Sequence, residues 1–118
     1  MWHGDRVGEN YAVGCAAAGV VIGDDVQRTP IVATEFVGTS ISSGGNGSKE
    51  YSGLAKLMSD NPCVKFHNRQ RGYVRCDVNP KRWQTDFRIL AAVTKPDEPI
   101  STRASFVVEN GKPGTVNA

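Results

Sequence analysis

No part of this 118-residue chain is apolar over the ~20 residues that a membrane-spanning helix needs, so no helical membrane span is expected. The opening from Met1 to Arg6 is polar and no apolar core follows it, which leaves no secretory signal peptide to read. Cysteine is scarce. Cys15, Cys63 and Cys76 are an odd set without C-x-x-C spacing, so they make neither a zinc knuckle nor a complete disulfide framework. Buried thiols, or at most one bridge, are the expectation. Charge of one sign is also lacking. Net charge is only +2, and the basic residues are scattered apart from Arg69, Arg71, Arg75, Lys81 and Arg82. A nucleic-acid partner would call for a strongly basic face, and none is expected. There is no internal repeat and no low-complexity tract.

What remains is a globular composition, 39% hydrophobic and 22% charged, which argues against wholesale disorder. A chain this long supports one domain that buries about two-thirds of its unfolded surface. Thirteen glycines point to a fold rich in strands and loops. The fold class expected is α+β and strand-rich.

The organising stretch is Ile31 to Gly47, IVATEFVGTSISSGGNG. Its β-branched start predicts a strand covered on both faces, which then delivers a loop of glycines and hydroxyls. Such a loop at a strand end is a common ligand position in α/β proteins. Ahead of it, Ala12 to Ile22 is strand or short helix, and Asp24 and Asp25 mark a solvated turn. After it, Leu54, Leu57 and Met58 have helical spacing, with Ser52 as the expected cap and Asn61–Pro62 as the stop. Val64 to Phe66 and Tyr73 to Val78 read as strands with a turn at Asn68 to Gly72 between them. Asn79–Pro80 makes the next turn, Trp83 to Val93 a further strand, and Thr102 to Glu109 another. Residues 110–118 are a polar tail expected to fray.

Each candidate residue has an ordinary reading beside a functional one. Glu35 in an apolar strand is a buried acid or, by preference, an ion-pair partner of Arg71 or Arg75, because a lone buried carboxylate is costly. Arg71, Arg75 and Arg103 have the geometry to grip phosphate oxygens in pairs of bonds. Strand arginines more often pair with acids such as Asp77, Asp86 or Glu109. Thr39, Ser40, Ser42 and Ser43 suit an anion, but the helix start and lysine of a P-loop are missing. His67 lacks a second ligand at metal spacing and reads as structural. Tyr73, Trp83, Phe87 and Phe106 read as core aromatics.

Three blocks, TEFVGTSISSGGNG, NPCVKFHNRQRGYVRCDVNPKRWQTDFRI and ISTRASFVVENGKPG, agree in order and spacing with one family. Together they resemble the carboxyl-terminal part of the PhoD-like metallophosphatases, the alkaline phosphatase D family. The resemblance implies a hydrolase of four-layer αββα architecture, exported from the cell, that cleaves phosphate monoesters and diesters with calcium and iron. Residues 1–118 would then be a single partial domain from the end of that fold. The resemblance further implies a G-D-x-H motif whose Asp and His bind metal. Gly4 and Asp5 match its first half, which makes Asp5 the one candidate metal ligand. The histidine position falls on Val7 or Gly8, and His3 lies on the wrong side of Asp5. The other family ligands, an Asp, an Asn, a Cys and a Tyr, lie upstream of these blocks. The expectation is therefore a fragment, inactive alone and binding no metal, from a shortened or disrupted reading frame. Its substrate in the whole enzyme would be a phosphate ester. The other reading is a non-catalytic, β-rich interaction module that self-associates through exposed strand edges.

Overall fold

The structure, a computed structural model, describes residues 10–13, 33–49, 52–62 and 64–118. Within these, the chain forms β1 (Asn10–Val13), β2 (Glu35–Val37), α1 (Leu54–Asp60), β3 (Val64–Asn68), β4 (Gly72–Val78), β5 (Arg82–Leu90), β6 (Ile100–Glu109) and β7 (Val116–Asn117). They build a three-stranded sheet in the order β2-β1-β3 and a four-stranded sheet in the order β4-β5-β6-β7. All the pairings are antiparallel. The result is strand-rich, with one short helix among the described residues.

The larger sheet follows from local chemistry. Asn79 Oδ1 accepts bonds from the backbone N–H groups of Lys81 and Arg82, 2.9 and 3.1 Å away, and so closes the turn that pairs β4 with β5. Alternation then sorts the side chains. Val74 lies opposite Phe87, and Phe87 opposite Ala104. On the other face Arg75, Asp86 and Ser105 line up across β4, β5 and β6.

The core is where the two sheets meet. Phe87 is 1% exposed and Phe106 5%, and the partly buried Phe36, Phe66, Val74 and Ala104 pack against them. Phe66 from the smaller sheet stacks 4.9 Å from Phe87 and 5.7 Å from Phe106, centroid to centroid, and Phe36 sits 6.4 and 6.5 Å from the same two rings. Such tilted contacts suit the charge distribution of aromatic rings. Four phenylalanines hold the sheets together.

Several expectations need correction. Of the doubly covered strand expected over Ile31 to Val37, residues 31–32 lie outside the described residues; within 33–37 only Glu35–Val37 is extended, at the edge of its sheet among the described residues, with Glu35 exposed. β-branched residues signal extension, whereas burial depends on which strands arrive alongside. The bend at Asn68 to Gly72 forms but does not pair the strands it joins, because β3 and β4 belong to different sheets. Gly53, not Ser52, holds the helix start, with no side-chain cap, while the stop at Asn61 is as expected: its N–H and its Nδ2 both donate to Leu57 O. Tyr73 and Trp83 are 38% and 42% exposed and stand at the margin of the core. The polar tail holds a short strand, since β7 pairs with Phe106 and Val107 of β6.

Candidate functional site

The glycine-rich loop after β2 is built from two glycines that no other residue replaces easily. Gly47 has φ +69°, and a Cβ there would lie 2.0 Å from Arg69 O. Gly44 has φ +80°, and its Cβ would press within 2.9 Å of Arg71 Nη2. Close approach to the 69–71 segment is thus written into the loop.

Arg71 is what the loop closes on. It is 8% exposed. Its Nε donates to Gly45 O at 2.9 Å, its Nη2 to Gly44 O at 3.1 Å and its Nη1 to Thr39 Oγ1 at 3.1 Å. One planar guanidinium thereby ties both ends of the turn to the entrance of β4. Asn46 fastens the tip elsewhere: its Oδ1 accepts from Val93 N at 2.8 Å and from Thr94 N at 3.3 Å. Beneath lie the buried Asn68 and Gln70, joined by Gln70 N donating to Asn68 Oδ1 at 2.9 Å.

This geometry reassigns most of the candidates. Arg71 spends its donors on loop carbonyls, so it braces the loop and does not present a fork to an anion. Ser40 Oγ donates to Ser43 O at 2.8 Å, which commits that hydroxyl to the turn. The pairing expected for Glu35 is absent, because Arg75 instead meets Asp86 on the outer face of the larger sheet. There Nε and Nη2 of Arg75 both donate to Asp86 Oδ2, while Ser105 Oγ and Gln84 Nε2 donate to Oδ1 at 2.7 and 3.2 Å. The Ser105 hydroxyl, then Arg75, hold the Asp86 carboxyl down from 3.8 to about 2. Arg103 is exposed on β6, and His67 is buried within β3. Cys76 is an exposed free thiol, against the expectation of burial. It sits 3.8 Å from Thr85 Oγ1. Asp5, His3, Val7, Gly8, Cys15, Cys63, Asp24 and Asp25 lie outside the described residues.

A surface cleft of about 650 Å³ adjoins the loop, lined in part by Thr34, Glu35, Ile41, Tyr73, Cys76 and Trp83. Its described lining carries one carboxylate, Glu35, and one thiol, Cys76. Among the described residues no group of three His, Cys, Asp or Glu side chains could hold a metal ion. The described residues therefore do not fit a calcium and iron pair. Among the described residues, neither nucleophile, base and orienting group nor two converging carboxylates meet at the loop or in the cleft.

Sequence reasoning missed Arg71 as the brace. The sequence offered only a partial signal, an arginine in RGYVRC at a strand entrance, because the loop carbonyls it meets are brought to it by folding across 26 or more residues.

Against known proteins, a family model described as PhoD-like phosphatase matches residues 12–87. Alkaline phosphatase D of Bacillus subtilis (strain 168) is 48% identical over 92 residues, which is 76% of this chain and 16% of that protein. A solved structure of PhoD is similar over 96% of this chain and 21% of its own, with a TM-score of 0.81 and 37% identity. The chain thus spans about a sixth of the curated relative it matches. No helix among the described residues is long and apolar enough to cross a membrane.

Proposed function

The chain belongs to the PhoD-like phosphatase family, and from that premise we propose that it is the carboxyl-terminal scaffold portion of an alkaline phosphatase D-type enzyme. In the whole enzyme this portion would complete a four-layer αββα fold. That enzyme would hydrolyse phosphate monoesters and diesters outside the cytoplasm, with calcium and iron as its cations. The part of this chain would be mechanical: Arg71 and Asn46 hold the 38–47 loop, and the phenylalanine core fixes it against both sheets. Asp5 remains the one candidate ligand this chain would add.

The observation that carries the reading is high identity over a small share of the relative, 48% across 16% of its length. Phosphatase assay on p-nitrophenyl phosphate with calcium and iron tests it. No release of nitrophenol is expected from the 118-residue chain. Turnover by that chain, with stoichiometric uptake of two metal ions, would defeat the proposal.

A further inference from the structure

Among the described residues β4 closes one side of the larger sheet. Its backbone pattern can be read from its two ends. Asn79 and Arg82 exchange backbone bonds of 2.9 and 3.3 Å, and Leu90 N donates to Arg71 O at 2.9 Å. Antiparallel ladders alternate, so Tyr73, Arg75 and Asp77 turn their N–H and C=O groups toward β5. Gly72, Val74, Cys76 and Val78 turn theirs outward. Such an edge is a template for another strand. The remaining edges offer less: β2 has three residues, β7 covers part of β6, and α1 packs beside β3. β4 has seven residues, with neither lysine nor proline to blunt it, and Val78 is 63% exposed.

We infer that β4 pairs with β4 of a second copy of this chain, antiparallel about a two-fold axis at Cys76. Charge selects the register. An axis at Arg75 or at Asp77 sets like charges opposite each other, which opposes pairing. An axis at Val74 leaves Val78 beyond the end of the ladder. With the axis at Cys76, Arg75 faces the partner's Asp77 and Val74 faces the partner's Val78, each twice. The outward groups of Val74, Cys76 and Val78 are then all bonded. The unlike charges occupy the closer, non-hydrogen-bonded sites of the ladder. The interface is isologous and closes on itself. It does not depend on the phosphatase reading, and the nitrophenyl phosphate assay judges that reading separately.

Sedimentation equilibrium of the 118-residue chain should show a concentration-dependent dimer. Asp77→Lys sets like charges opposite each other twice and should raise the dissociation constant about tenfold or more, with an unchanged circular dichroism spectrum. In a Cys15→Ser, Cys63→Ser variant, diamide should join the two Cys76 thiols. They lose two protons and two electrons to the diazene, which becomes the hydrazine, and one intermolecular disulfide forms. Disulfides accommodate the ~5.5 Å between Cα atoms of a hydrogen-bonded pair. A chain that stays monomeric at every concentration would overturn the inference. So would dimers indifferent to Asp77→Lys, or failure of Cys76 to cross-link. Monomeric chain whose Cys76 is shielded from alkylation only by a co-purified remainder of a PhoD-type polypeptide would assign the edge to that neighbour instead.

Discussion

At the scale of single residues, Arg71 and Asp86 show how one sequence stretch divides its arginines between two tasks. Arg71 faces carbonyls and a hydroxyl, so its removal would take one donor each from Gly44 O, Gly45 O and Thr39 Oγ1. Arg71→Ala should cost ~2–3 kcal/mol, and hydrogen exchange of the 38–47 amides should rise more than that of β5. Arg71→Lys should recover little, because an ammonium cannot span three acceptors set in one plane. Asp86 gives a prediction about pH. Its folded value, about 2, is below its ordinary 3.8, so it adds stability above pH ~4 that is lost as pH falls toward 2. Urea midpoints measured from pH 6 down to pH 2 should fall less steeply for Asp86→Asn than for the parent chain. Gly47→Ala combines a positive φ with a backbone contact at 2.0 Å, and should cost at least ~1–3 kcal/mol in thermal or urea unfolding.

Elements are joined by rings. Phe66 brings β3 against Phe87 and Phe106, and Phe36 does the same from β2. Phe87→Ala should cost ~3–5 kcal/mol in urea unfolding, since Phe87 is buried and touches rings from both sheets. Trp83→Ala should cost less, because that ring is 42% exposed, its centroid lying 6.0 Å from that of Phe36. If the two variants proved equally destabilising, the core would not lie between the sheets as described. The helix is less demanding. Leu57 is its one buried side chain and no side chain caps its start, so the helix is held by contact with β3.

For the molecule as a whole, the chain carries a family scaffold over about a sixth of the relative's length. Its described part has a core and a braced loop but no metal cluster. On the proposed reading the chain alone would keep its packing without the chemistry, because hydrolysis at a metal pair needs ligands from several strand ends at once. An absence of nitrophenol release together with cooperative urea unfolding is the expected pair of outcomes. The pairing inferred for the exposed edge of β4 should weaken with salt, since unlike charges would fix its register.

Residue patterns alone determined the extended runs of β4, β5 and β6, the turn at Asn79, the helix around Leu57 and the family, because alternation, turn chemistry and motif order are local and survive in one dimension. They also determined that Phe87 and Phe106 belong inside. Only the tertiary structure decided that β3 and β4 part into different sheets, that β2 stands at an edge, that Arg71 serves the loop while Arg75 serves Asp86, and that Tyr73, Trp83 and Cys76 reach solvent. Those outcomes depend on which distant segments come together, and arginines with identical side chains differ only in the acceptors that folding brings within 3 Å or so of each.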